Sequence, residues 1–206
     1  MINLFILFFY VSFNVNAGFS SSSFYIVSSE LKVVPKGLNT GVSFKKGDIG
    51  LRGNIEFLKG GWKEYFYWWG EYIRKTDYKE ISSDISILSY LTFMETNVYI
   101  SFGIFYSYIN YKFKKIYLGD SISKDEKYHG NLLGFPLILG LEKKIFKNIY
   151  FYGELYAFFY GILSLKWHEE NNTFKADYLI SGGWYPFHLF EEGKLGKIRM
   201  GIKYEL

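Results

Sequence analysis

The chain has 206 residues, enough for one domain with a sizeable core, and 24 Lys and Arg against 20 Asp and Glu leave a net charge of +4. The absence of cysteine excludes disulfides, thiolate metal sites and a lipidated N-terminal cysteine. The charge is spread along the sequence, which gives nucleic-acid binding little support. The aromatic share of 22%, with 20 Tyr and 21 Phe, suits a boundary between hydrocarbon and water.

The chain begins MINLFILFFYVSFNVNA. An apolar run from Leu4 to Phe13 is followed by Val15-Asn16-Ala17, an A-x-A-like site. The run is too short for a membrane helix, which needs about 20 apolar residues. It resembles a secretory signal peptide, so residues 1–17 are expected to be removed, with cleavage between Ala17 and Gly18 and a mature domain over 18–206. The segment departs from that pattern in lacking Lys or Arg before the apolar run. The competing reading is a buried strand or an uncleaved anchor.

From Gly18 onward the dominant signal is alternation with period two. Candidate strands fall at about 24–34, 38–45, 49–58, 63–74, 84–93, 98–112, 131–142, 148–164, 173–187 and 195–206. In DIGLRGNIEF, Ile49, Leu51, Ile55 and Phe57 oppose Gly50, Arg52, Asn54 and Glu56. In VYISFGIFYSY, Val98, Ile100, Phe102, Ile104, Tyr106 and Tyr108 oppose Ser101, Gly103 and Ser107. Leu133, Phe135, Leu137, Leu139 and Leu141 oppose Gly134, Pro136, Gly140 and Glu142. Phe174, Ala176, Tyr178 and Ile180 oppose Lys175 and Asp177, and the closing stretch sets Ile198, Met200, Ile202, Tyr204 and Leu206 against Lys197, Arg199, Gly201, Lys203 and Glu205.

Such strands fit a soluble sandwich with an apolar core or a membrane barrel with its apolar face toward lipid. Three features favour the barrel. Strands 98–112 and 148–164 far exceed the usual five or six residues. Aromatics gather near strand ends, in EYFYWWGEY (64–72) and IYFYGELYAFFY (149–160). The polar face is rich in Gly and mixed in charge, as a crowded lumen requires. The expected fold is therefore all-β, a single antiparallel transmembrane up-and-down barrel of 8–10 strands.

The last eight residues, RMGIKYEL, resemble the C-terminal assembly signal of small bacterial outer-membrane β-barrel proteins, a porin-like superfamily. Arg199, Gly201, Tyr204 and Leu206 occupy the marked positions, with Leu in place of the usual final Phe. The resemblance implies a location in the bacterial outer membrane, with membrane lipid and the barrel-assembly machinery as partners.

Ten strands create a conflict of sidedness. If 75–83, 113–130 and 165–172 are outer links, and METN (94–97) and KKIFKN (143–148) inner turns, HLFEEGKLG (188–196) becomes an inner turn and Leu206 ends outside. An even strand count puts both termini on the periplasmic side, so one expected boundary is wrong.

The expected lumen-facing polar set is Arg52, Asn54, Glu56, Glu142, Glu154, Lys175, Asp177, Arg199, Lys203 and Glu205. In a narrow barrel such charges pair into a plug; in a wider one they line a water path. His129, with Ser121, Ser123, Asp125 and Glu126 nearby, and His168, followed by Glu169 and Glu170, are the candidates for lipid-modifying chemistry. Neither sits in G-x-S-x-G, and the histidines lack metal-site spacing, so no enzyme activity, metal or cofactor is expected. The expected function is a narrow porin-like channel or a structural envelope protein. The alternatives are a barrel enzyme acting on outer-leaflet lipid such as lipid A, and a soluble lipocalin-like lipid binder.

Overall fold

The computed structural model describes residues 12–26, 31–33, 35–66, 72–117, 123–169, 172–183 and 194–206. Among them ten strands form one antiparallel sheet: β1 (Ser12–Ile26), β2 (Leu31–Val33), β3 (Lys36–Lys46), β4 (Ile49–Phe66), β5 (Tyr72–Phe93), β6 (Thr96–Tyr117), β7 (Ser123–Phe146), β8 (Ile149–Glu169), β9 (Asn172–Gly183) and β10 (Lys194–Glu205).

Ten strands make eight staves. β2 and β3 both run antiparallel to β1 and are parted near Pro35, which has no N–H to give a ladder. β9 pairs with Phe158–Glu169 of β8 and β10 with Ile149–Leu155. Both are antiparallel to β8, so the chain keeps its direction from β9 to β10. β10 pairs with β1 from Asn14↔Glu205 to Tyr25↔Lys194, which closes the ring. The Leu206 N–H donates to the Phe13 carbonyl at 2.9 Å, so pairing continues to the last residue. A closed sheet leaves no unpaired edge for lipid to meet.

Three two-residue turns share one end with the start of β1 and the end of β10, called here the lower end. They are Gly47-Asp48, Met94-Glu95 and Lys147-Asn148, between the pairs Lys46↔Ile49, Phe93↔Thr96 and Phe146↔Ile149. The first residue of each has a positive φ, of 59°, 53° and 28°. That backbone sense lets a short hairpin turn match the twist of its strands.

The staves resolve the sidedness conflict. The expected strand 63–74 does not exist as a unit: β4 continues to Phe66, and β5 begins at Tyr72. Residues 75–83, expected as an outer link, lie inside β5. Likewise 113–117 and 123–130 belong to β6 and β7, and 165–169 to β8. Residues 24–26 end β1 and 31–33 form β2, so 24–34 is not one strand. The expected turn at 188–196 falls largely outside the described residues; β9 and β10, which flank it, run in the same direction. Ala17 and Gly18 lie within β1, where Asn16 and Ala17 pair with Lys203 and Ile202.

Burial alternates along the staves, and on the outer face the apolar set forms a belt. On β6 it comprises Val98, Ile100, Phe102, Ile104, Tyr106 and Tyr108, all exposed. That run matches the roughly 9–11 residues a tilted strand needs to cross a bilayer. A bulge at Ala157 shifts β8 by one residue, since Leu137 pairs with Phe158 and Ile138 with Tyr156. The inward set of β8 therefore changes from Tyr152, Glu154 and Tyr156 to Phe159, Leu163 and Leu165.

Candidate functional site: the filled interior

The lower interior is an ion-paired network centred on Arg199. Its Nε faces Glu56 Oε1, and Nη2 faces Asp84 Oδ2. Nη1 lies 3.3 Å from Glu154 Oε2, and Nη2 donates to the Tyr156 hydroxyl at 2.7 Å. Arg52 pairs with the other oxygen of Glu154 and donates to the Tyr99 hydroxyl at 3.2 Å. Lys197 pairs with Glu56 Oε2, lies 3.6 Å from Glu80, and sits 4.6 Å from the centre of the Phe105 ring. Lys203 bonds Glu142 at 2.8 Å.

The five carboxylates Glu56, Glu80, Asp84, Glu142 and Glu154 and the four cations Arg52, Lys197, Arg199 and Lys203 are each at most 6% exposed. Charges withdrawn this far from water must be paired and hydrogen-bonded. Uncharged groups supply further hydrogen bonds, although the buried Arg52 Nε has no partner among the described residues. Ser20 and Ser82 donate to Glu56 at 2.8 and 2.9 Å, Asn54 donates to Asp84 at 3.4 Å, and Asn39 donates to Ser20 at 2.9 Å. Inward glycines make room for rings: Tyr99 lies across Gly140, its partner on β7, where a Cβ would collide with the ring. The void left beside Arg52, Tyr99, Glu142 and Glu154 is only about 10 Å³. That is about the space of one water-sized probe.

Higher up, the interior changes chemistry. Tyr78, Phe105, Ile109, Tyr111, Leu132, Leu163, Leu165 and Ile180 form one buried cluster, with Trp167 and Tyr178 packed against it. A row of stacked rings crosses its top: Tyr111 on Tyr128 at 4.5 Å, Tyr128 on Trp167 at 5.6 Å, and Trp167 on Phe174 at 5.5 Å. Here the outer faces carry Lys79, Lys112, Lys127 and Lys166, all exposed. The barrel is apolar outside and charged inside below, and the reverse above.

This inversion sorts the expected lumen residues. Arg52, Asn54, Glu56, Glu142, Glu154, Arg199 and Lys203 are buried in the lower network. Glu205 is partly buried at the lower rim and accepts a 2.8 Å bond from Tyr150. Lys175 and Asp177 are not lumen-facing. Their side chains are 56% and 54% exposed, 3.8 Å apart, on the outer wall. The apolar set opposite them was expected to face lipid, yet Ile180 and Tyr178 pack into the upper cluster. The physical reason is height: above the belt the outer medium is water, so the apolar face turns inward.

Of the assembly-signal positions, Tyr204 and Leu206 point outward at 44% and 68% exposure, whereas Arg199 is buried. Gly201 faces Gly18 across the closing seam, and a Cβ on either would strike the backbone of the other strand. His129 contacts the Tyr108 hydroxyl at 3.2 Å, and His168 contacts Thr173 at 2.9 Å, both on the outer wall. The sequence reading missed Glu80, Asp84 and the tyrosines Tyr99, Tyr152 and Tyr156; it put Lys197 on the polar face of the last strand without counting it in the lumen set. Asp84 was accessible: in EISSDISIL, Ile81, Ile85 and Ile87 alternate with Ser82, Asp84 and Ser86 once β5 is read as one strand.

No protein-family model matches the chain, and no curated protein does. Solved structures do. A major outer membrane protein from Thermus thermophilus is similar over 95% of this chain and 99% of its own, with a TM-score of 0.61 and 15% identity. The fold is that of a bacterial outer-membrane β-barrel. The outer membrane protease OmpT from Escherichia coli is similar over 95% of this chain and 97% of its own, with a TM-score of 0.50 and 8% identity. In a barrel of this fold the exposed apolar belt is the lipid-facing wall. A groove of about 600 Å³ among Ile85, Ile87, Phe102 and Ile104 lies on that wall and not in the lumen.

Proposed function

We propose that the protein is a closed-lumen, non-enzymatic barrel with a structural role in the outer membrane. The observation that carries this reading is the filled interior. Nine charged side chains are each at most 6% exposed, the void beside Arg52, Glu142, Glu154 and Lys203 is about 10 Å³, and a buried apolar and aromatic cluster fills the interior higher up. A solute path needs a continuous water column, and dismantling any part of this network strands a buried charge. Of the two forms expected from sequence, channel and envelope protein, the second gains the support.

Planar-bilayer recording on the refolded chain tests the proposal. Silence at all voltages is expected; discrete single-channel steps would sink it. The assembly machinery is the proposed partner of the C-terminal strand, whose Tyr204 and Leu206 present an outward apolar edge. Cleavage after Ala17, the processing step proposed from the sequence, would remove Ser12–Ala17, which pair with β3 and β10 in β1. An intact mass beginning at Gly18 supports it, and one that includes Asn14 overturns it.

A further inference from the structure

The buried charges are segregated along the chain. The carboxylates stand on four earlier strands: Glu56 on β4, Glu80 and Asp84 on β5, Glu142 on β7 and Glu154 on β8. Three of the buried cations, Lys197, Arg199 and Lys203, stand on β10, and the fourth, Arg52, on β4. Without β10, the inner wall of β4 to β8 sets all the buried acids against Arg52 alone. The last strand brings the missing cations in one short stretch, 197–203.

β10 is also the strand whose register its connections leave open. Two-residue turns join β3 to β4, β5 to β6 and β7 to β8, and a short turn sets the register of its hairpin. By contrast, residues 184–193 separate β9 from β10, and β1, the partner of β10 across the seam, lies at the other end of the sheet's sequence. Alternation does not supply the register either. A slip of two residues keeps Ile198, Met200, Ile202 and Tyr204 on the lipid side, because the side-chain period is two.

The charges are not indifferent to such a slip. It moves each side chain about 7 Å along the strand, well beyond ion-pair distance. In the observed register Arg199 meets Glu56, Asp84 and Glu154, Lys197 meets Glu56 and Glu80, and Lys203 meets Glu142. Slipped one way, Gly201 takes the place of Arg199, and Asp84 loses its cation. Slipped the other way, Leu195 takes the place of Lys197, and Arg199 comes against Gly18, where a Cβ meets backbone. Either slip leaves charge buried without its partner.

We infer that the acidic wall of β4 to β8 is a docking surface for β10, whose three cations select the register in which the barrel closes. The occupant this wall fits is a strand with Lys, Arg, Gly and Lys at alternate positions, as residues 197, 199, 201 and 203 supply. Selecting a pairing register is the best-attested use of buried ionic groups. The inference rests on the closed ring and not on whether the lumen conducts.

Disulfide trapping tests it, because the chain has no cysteine. Phe19 and Met200 are partners with exposed side chains, and Ile198 and Ile202 are the next outward residues to either side. The full chain carrying Phe19→Cys and one of Ile198→Cys, Met200→Cys or Ile202→Cys is refolded into phosphatidylcholine vesicles and oxidised. The 19–200 bridge is expected to form about tenfold faster than either diagonal bridge, whose Cα atoms lie farther apart. Lys197→Gln, Arg199→Gln and Lys203→Gln together should bring the three rates close to parity in the compact, fast-migrating band. Retention of the 19–200 preference would assign the register to the contact at Gly18 and overturn the inference. A charge exchange decides the case in which the triple variant does not close. Lys203→Glu alone should lose the compact band or the 19–200 preference, and adding Glu142→Lys should restore it. A double variant no better than the single one overturns the inference.

Discussion

Arg199 and Glu56 lie 143 positions apart in sequence and meet inside the barrel, Nε against Oε1. Arg199 stands on β10, one of the strands that close the ring, and Glu56 on β4. The contact therefore forms only when the sheet has curled on itself. The same guanidinium reaches Asp84 on β5 and Glu154 on β8, so one side chain ties together four staves.

Arg199→Met should be among the most damaging single substitutions in the chain. It takes the cation from Asp84 and leaves Glu56 with Lys197 alone as a charged partner, and breaking one side of such a buried pair costs about 3–5 kcal/mol. Lys143→Met, on the exposed lower surface, should change stability by no more than about 0.5 kcal/mol. Urea unfolding in lipid vesicles, followed by Trp fluorescence, compares them. Equal midpoints would show that the network contributes nothing.

The seam between β1 and β10 supplies a different sensitivity. Gly18 and Gly201 face each other there, and a Cβ on either meets backbone. Backbone cannot yield as a flexible side chain can, so Gly201→Val should block closure while leaving the charged network chemically complete. The expected result is loss of the compact, fast-migrating band on an unheated denaturing gel. Retention of that band would mean that the seam tolerates a side chain.

How far the sequence carried this architecture depended on height along the staves. Within the belt, alternation assigned Ile49 to Phe57 and Val98 to Tyr108 to the lipid side and Arg52 and Glu56 to the lumen. Above the belt the same rule put Lys175 and Asp177 on the wrong side. Period two reports only that two faces differ; it does not say which medium meets each face. The exchange of lipid for water halfway up a strand leaves no mark in the period. It also makes 75–83 read as a loop, because Lys75, Asp77 and Lys79 form the wet side of β5. The partners of Arg199 come from remote staves, and no local pattern encodes their meeting.

Inversion above the belt can be read directly with thiol labelling, because the chain has no cysteine of its own. A cysteine at position 175 should react with a membrane-impermeant maleimide on intact cells, and one at position 180 should not. Ile180 is fully buried in the upper cluster. Reaction at 180 together with protection at 175 would restore the alternation expected from sequence.

The lower turns permit a test in which packing plays no part. Gly47 has a φ of 59°, and a Cβ added there would meet nothing within 4 Å. Any cost of Gly47→Ala must then come from holding an L-residue in the left-handed region, about 1–2 kcal/mol. Met94 already bears that strain, with a φ of 53°. Met94→Gly should relieve it, offset in part by the greater freedom of glycine in the unfolded chain. The two substitutions should therefore move the urea midpoint in opposite directions, Gly47→Ala downward and Met94→Gly slightly upward. A Gly47→Ala variant as stable as the parent would mean that this turn adopts another conformation in the membrane.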